Sequence, residues 1–182
     1  MNRSQAAAAL RQWDQKGRYV FRKRDLAKLF PADSPKTFAK GLKRMVDSGV
    51  LMRASSGIYV NPNARSFNPH LVVEDIATAL RAGEYNYASL ESQLSEYGAI
   101  SQIPIDRITV MTTGRRGIYR TPYGVIEFTH TARPVADIIS QIKRIDGRPL
   151  RIASKAAAWR DLKRVGRNVA MVDEKMVSAI DE

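Results

Sequence analysis

Glu127 and His130 are the pair best suited by type to acid–base or metal chemistry, and their spacing decides against it. Both fall in Val125-Ile-Glu-Phe-Thr-His130, a run of strand composition in which residues three apart point to opposite faces. The other histidine is His70 and there is no cysteine, which excludes disulfides, thiolate metal sites and a cysteine nucleophile. Glu91 and Glu96, five apart, do not share a helix face well. No Walker loop, HExxH helix, GxSxG elbow or GxGxxG turn is present, and Gly114-Arg-Arg-Gly117 is too short and too arginine-rich to cradle a phosphate. The sequence therefore predicts no catalytic residue, no metal ligand and no cofactor, and a function other than enzymatic.

What remains is cationic chemistry. The 182 residues carry 30 Lys+Arg against 18 Asp+Glu, a net charge of +12, which asks for a polyanionic partner. Nucleic acid leads, with an anionic membrane surface second. The charge is unevenly placed: residues 1–66 hold 14 basic and 4 acidic residues, 67–106 hold 1 and 6, 107–167 hold 14 and 4, and 168–182 hold 1 and 4. Two basic blocks thus flank an acidic one.

Helical and hairpin patterns position the first basic block. A helix capped by Ser4 runs to about Lys16, with Leu10 and Trp13 inward and Gly17 as its left-handed stop. A short extended run, Tyr19 to Phe21, precedes a second helix from Arg22 to Phe30, which Pro31 ends. The third helix has Ser34 as N-cap, Pro35 at its first position and Gly49 as its stop. At 100° per residue, Phe38, Leu42, Met45 and Val46 share one arc. Lys36, Lys40, Lys43 and Arg44 lie opposite, with Thr37 and Gly41 on the flank. Val50 to Arg53, a turn at Ser55-Ser-Gly57, and Ile58 to Val60 read as a β-hairpin.

Three helices followed by a hairpin is the order of a winged helix-turn-helix. The third helix suits the major groove of double-stranded DNA, where its polar strip meets base edges and phosphates. Arg22, Lys23 and Arg24 at the second helix, and Arg53 on the wing, would meet flanking phosphates and set position rather than sequence preference. A basic strip is also what a solvated helix face looks like; the concentration of charge in this block favours DNA.

The stretch Asn61 to Pro69, with two prolines and three asparagines, has the composition of a connector, which places a DNA-binding domain at 1–64 and a second domain at 65–182. That second domain reads as a helix at Leu71–Arg81, a helix Leu90–Tyr97 capped by Ser89, strands at 107–113 and 125–130 flanking Ile118–Arg120, and helices at Val135–Ile145, Ser154–Val165 and Asp173–Ile180. The fold class is therefore α+β. On the Ser154–Val165 helix, Arg160, Lys163 and Arg164 form a basic face. Arg115, Arg116 and Arg120, interleaved with Tyr119 and Tyr123, add a basic tip. Both suit a second nucleic-acid contact, and equally a solvated face or a charged guard on an edge strand. No apolar run reaches the length of a signal-peptide core or a membrane span, so the expected setting is the cytoplasm with no membrane role.

Three segments carry a family resemblance. Tyr87-Ala-Ser-Leu-Glu-Ser-Gln-Leu-Ser-Glu-Tyr-Gly98 resembles the Y-[IV]-S-L-E-S-A-L-S-x-[YH]-G segment of the AbiEi family, the antitoxins of type IV toxin–antitoxin (abortive phage infection) systems. Ile100-Ser-Gln-Ile-Pro104, followed by a strand and Thr121-Pro-Tyr-Gly-Val-Ile-Glu-Phe-Thr-His130, is similar to that family's T-P-[FY]-G-x-[IF]-x-[FY] hairpin. Ile152-Ala-Ser-Lys-Ala-Ala157 is similar to its [IV]-A-[ST]-P-E-K-A helix start. Gln93 stands where the family has Ala, and the Pro-Glu pair of the late helix is missing. The resemblance implies an N-terminal winged helix that binds promoter repeats of its own operon and represses it. It also implies a C-terminal domain that counters a nucleotidyltransferase toxin without a stable complex. The alternative is a transcriptional regulator whose C-terminal domain senses a ligand or partner.

Overall fold

The computed structural model describes residues 3–101 and 106–178, and chain contacts divide it into two compact units, Met1–Leu80 and Arg81–Glu182. Each has its own hydrophobic core, and together they combine helices with antiparallel and mixed sheets, an α+β fold. Among the described residues no helix is long and apolar enough to cross a membrane.

The first unit runs α1 (Arg3–Asp14), β1 (Val20–Arg22), α2 (Lys23–Lys28), α3 (Pro35–Asp47), β2 (Met52–Ser55), β3 (Ile58–Val60) and α4 (Val72–Leu80). The strands form a three-stranded antiparallel sheet in the order β1-β3-β2, with Phe21 opposite Tyr59 and Arg53 on the other side of Tyr59. Gly17, at φ +74°, lets the chain leave α1 in a left-handed conformation that a side chain would resist. Ala6, Leu10, Phe21, Leu26, Phe38, Leu42, Met45 and Leu51 build the core, with Trp13, Leu29, Phe30 and Val46 packed around it.

The connector composition of Asn61–Pro69 does not mark the end of this unit. The Asp14 carboxylate accepts from the backbone N–H groups of Arg65 and Ser66, both at 2.9 Å, and from Ser66 Oγ at 2.7 Å. Phe67 lies edge-on to Tyr19, with ring centroids 5.4 Å apart, and the Tyr19 hydroxyl donates to Asp75 on α4 at 2.5 Å. α4 packs against β1 and β3 and buries Val72, Ile76 and Ala77. Turn residues thus serve a bend within one unit, and the division falls after Leu80 rather than after Ala64.

The second unit contains β4 (Asn86–Ala88), α5 (Leu90–Glu96), β5 (Arg107–Thr112), β6 (Gly117–Thr121), β7 (Gly124–His130), α6 (Val135–Ser140), β8 (Ile142–Lys143), β9 (Arg151–Ala153), α7 (Lys155–Val165), a single 3-10 turn at Val169–Met171 and α8 (Glu174–Ser178). Its six-stranded sheet has the order β6-β7-β5-β4-β9-β8, with β5 parallel to β7 and β4 parallel to β9. Tyr87, Leu90, Leu94, Met111, Ile138 and Leu162 are central to its core, and α5 packs on α7.

Several elements differ from the sequence reading. The helix expected over Val135–Ile145 stops at Ser140, because Ile142 and Lys143 pair with β9 as an edge strand. β4 and β9, three residues each, were not expected: no hairpin turn stands beside them as Ser55-Ser-Gly57 stands beside β3, and they pair with each other across more than sixty positions. Ser89 precedes α5 but makes no capping bond, since its hydroxyl donates to Asp161 at 3.0 Å. Thr109 Oγ1 instead accepts from Ser92 N–H at 3.1 Å. The part of the Ile100–Pro104 segment beyond Ser101, and the end of the helix expected to reach Ile180, lie outside the described residues.

Candidate nucleic-acid interface

α3 carries the clearest basic surface in the first unit. Ser34 Oγ accepts from Thr37 N–H at 3.2 Å, and Pro35 opens the helix where its missing N–H costs no bond. Phe38, Gly41, Leu42 and Met45 are buried, so Gly41 belongs to the core face rather than its flank. Lys36, Thr37, Lys40, Lys43 and Arg44 are all exposed. Two of them are partly engaged: the Thr37 hydroxyl lies 2.9 Å from Ser34 Oγ, and Lys43 pairs with Asp47 at 2.6 Å. Lys36, Lys40 and Arg44 are the members best placed to give their whole charge to a ligand.

Around α3 the expected phosphate contacts sort into two kinds. Lys23 and Arg24 are exposed in the first turn of α2, and Lys23 N–H donates to Gly57 O at 2.8 Å, which ties the start of α2 to the turn of the β2–β3 hairpin. Arg53 is exposed on β2, its Nε 3.4 Å from Ser55 O. Arg22 is different: it ends β1, and its guanidinium donates to Asp25 at 2.7 and 3.1 Å while Arg18 donates to the same carboxylate at 2.8 Å. The bond to Arg22 foremost, with that to Arg18, holds Asp25 below the usual carboxylate range against the opposing effect of burial. Arg22 thus anchors β1 to α2, with little of its guanidinium left to offer a phosphate.

In the second unit, two separate stretches of sequence meet at one end of the sheet. Arg115 and Arg116 are exposed in the β5–β6 loop and, with Glu84, Thr113 and His130, line an open cleft of about 780 Å³. The His130 ring lies 2.9 Å from Gly114 O, and Arg164 on α7 donates to His130 O at 3.1 Å. Arg115, Arg116 and Arg164 therefore share a neighbourhood. Arg120 does not: it pairs with Val125 at the far end of β6, whereas the Gly117 end pairs with Phe128. Nor is Tyr119 a stacking platform. Its ring sits edge-on to Phe128 at 5.6 Å and is covered by the Arg81 guanidinium at 4.9 Å. Lys163 is exposed beside Trp159, and Arg160 is half-buried.

Two buried polar clusters escaped the sequence reading. Asp161 is completely buried and accepts from Ser89 Oγ at 3.0 Å and the Tyr87 hydroxyl at 3.2 Å, while Arg133 and Arg160 each approach its other oxygen to 3.8 Å. Burial, followed by the Asp161 charge, pushes the Tyr87 phenol well above its ordinary range, which keeps the proton it donates to Asp161. In the second cluster Arg167 bridges Glu91 and Glu127, Arg107 meets Glu127 at 2.9 Å and Asn168 donates to Glu91 at 2.9 Å. Burial works against the Arg167 charge, yet its two carboxylate partners hold its pKa above the ordinary value. Sequence reading singled out Glu91, Glu127 and Arg160 one by one but not their grouping, since Ser89 and Asp161 are 72 positions apart and Glu91 and Arg167 are 76 apart.

No protein-family model matches the chain, and no curated protein does. Among solved structures it is similar to the crystal structure of the RV2827C protein from Mycobacterium tuberculosis, with a TM-score of 0.55 and 16% sequence identity over 97% of this chain and 71% of that one. At that identity the likeness is one of fold.

Proposed function

We propose that the protein is a DNA-binding autorepressor whose first unit works as a winged helix-turn-helix, with α3 in the major groove and the β2–β3 hairpin as the wing. The observation that carries this reading is the division of α3 into a buried face of Phe38, Leu42 and Met45 and an exposed face of Lys36, Lys40 and Arg44. Lys23, Arg24 and Arg53 supply phosphate contacts on either side. The antitoxin half of the reading rests on the AbiEi-like segments between residues 85 and 160: the second unit counters a nucleotidyltransferase toxin encoded beside it, in the cytoplasm and without a stable complex.

The test has two arms. Duplex fragments of the protein's own promoter should shift with the wild-type chain in an electrophoretic assay, and unrelated duplex should shift only at higher concentration. Co-expression with the product of a neighbouring nucleotidyltransferase gene should restore growth. DNA binding with a toxin that remains lethal would leave a regulator with a partner-sensing second unit. Absence of promoter binding would remove the repressor reading.

A further inference from the structure

We infer that the outer edge of β6 is a docking site for an acidic, extended peptide segment that adds to the sheet as a further strand. β6 belongs to the second unit and α3 to the first, and no residue of α3 enters the inference, so it does not rest on the DNA-binding reading.

The edge is open in the right way. β6 is the terminal strand of the six-stranded sheet, paired on one side with β7 and on the other with no strand among the described residues. Its register closes on Thr121 opposite Gly124 across Pro122-Tyr123, and Tyr119 and Gly117 follow opposite Ile126 and Phe128. In a two-residue antiparallel turn the closing pair exchanges hydrogen bonds, and alternate pairs behind it do the same. The backbone N–H and C=O groups of Ile118 and Arg120 therefore face away from β7, as a template for another strand.

The side chains specify what that strand would carry. Ile118 is 57% exposed, the most exposed large hydrophobic side chain among the described residues, and Arg120, two positions on, is exposed as well. Arg116, also exposed, stands just before the strand, so the edge offers a cation, an aliphatic side chain and a second cation in turn. Tyr119, between them, packs against Phe128 and Arg81 and is already used by the unit itself. A second copy of β6 fits badly here. Antiparallel pairing about Ile118 would set Arg116 of each copy against Arg120 of the other, and like charges directly opposite are destabilising. A strand with Glu or Asp on either side of an aliphatic residue places carboxylates against both arginines and covers Ile118.

The probe is a fluorescein-labelled peptide of sequence Thr-Glu-Thr-Val-Thr-Glu-Thr, with a Lys-for-Glu version as control, titrated against the full chain by fluorescence anisotropy. The acidic peptide should bind about tenfold or more tighter than the basic one, and the amide resonances of Ile118 and Arg120 should shift most. The double variant Arg116→Glu, Arg120→Glu should reverse that preference. Ile118→Pro removes one outward N–H without breaking the ladder to β7, and should abolish binding with an unchanged circular dichroism spectrum. Equal affinity for the two peptides, binding that survives Ile118→Pro, displacement of the acidic peptide's preference by an oligonucleotide bound at the same amides, or a wild-type dimer joined through β6 would each overturn the proposal.

Discussion

At the level of single residues, the arginines and lysines divide according to what their head groups already touch. Lys36, Lys40 and Arg44 project from α3 opposite its buried face, so under the proposed DNA-binding function reversing all three to Glu should abolish promoter binding while leaving the melting temperature unchanged. Gel-shift assays at several salt concentrations are the check: each lost phosphate contact should also lower the slope of log K against log[salt] by about one. Arg22 behaves otherwise because Asp25 holds it. Arg22→Ala should lower stability more than it lowers affinity, and the Asp25 carboxylate should lose the main cause of its depressed pKa. Its stabilising effect is present above the ordinary carboxylate value of 3.8 and is lost as pH falls through the lower folded value. Acid unfolding of Asp25→Asn should accordingly lack that loss. Asp75 carries the opposite sign: burial raises its pKa against the Tyr19 hydrogen bond, so ionising it costs stability as pH rises from 3.8 through the raised value.

Asp161 in the second unit is fully buried and gathers four polar partners. Replacing it with Ala would leave the Ser89 and Tyr87 hydroxyls without their acceptor and Arg133 and Arg160 without their counter-charge. Removing one member of such a buried set typically costs about 3–5 kcal/mol, so urea unfolding of Asp161→Ala should show a large loss, with Asp161→Asn losing less because an acceptor oxygen remains.

At the level of elements, the pattern that reads best is the one with many turns behind it. α3 has thirteen residues, a serine cap, a proline at its first position and a complete apolar arc. Each of those signals acts within one turn of helix, so local sequence carries all of them. Ser34→Ala should cost about 1 kcal/mol of unfolding free energy through the lost bond to Thr37 N–H, measurable in denaturant. α7 is legible for the same reasons, with Ser154 Oγ accepting from Ala157 N–H and Gly166 left-handed at its end. β4, β8 and β9 were illegible because, unlike β3 with its Ser55-Ser-Gly57 turn, none is joined to its pairing partner by a tight turn, and strands so short are then defined by neighbours beyond a turn's reach in sequence. Ser89 shows the converse, a residue of capping type whose hydroxyl is taken by a buried carboxylate from another element.

For the whole molecule, the division after Leu80 has a direct consequence. A fragment ending at Leu80 keeps α4, whose Val72, Ile76 and Ala77 are buried, together with the Tyr19–Asp75 bond. It should unfold cooperatively on heating, whereas a fragment ending at Ala64 should melt at lower temperature and over a broader range, since it exposes the surface of β1 and β3 that α4 covers. Differential scanning calorimetry of the two fragments decides the matter; equal melting of both would return the boundary to the connector.

The amino-acid sequence alone determined the α+β class, the basic character of each block, the two-faced α3 and the absence of thiol chemistry. These follow from residue type and from periods of a few residues, which act locally. Tertiary structure decided which cations are free and which are spent. It drew Arg22 and Arg18 onto Asp25, Arg167 onto Glu91 and Glu127, and Arg164 beside the Gly114–Arg116 loop, and it set Arg120 at the opposite end of β6. Arg167 and Glu91 are separated by 76 positions, a distance over which no periodicity reports and only packing brings charges together.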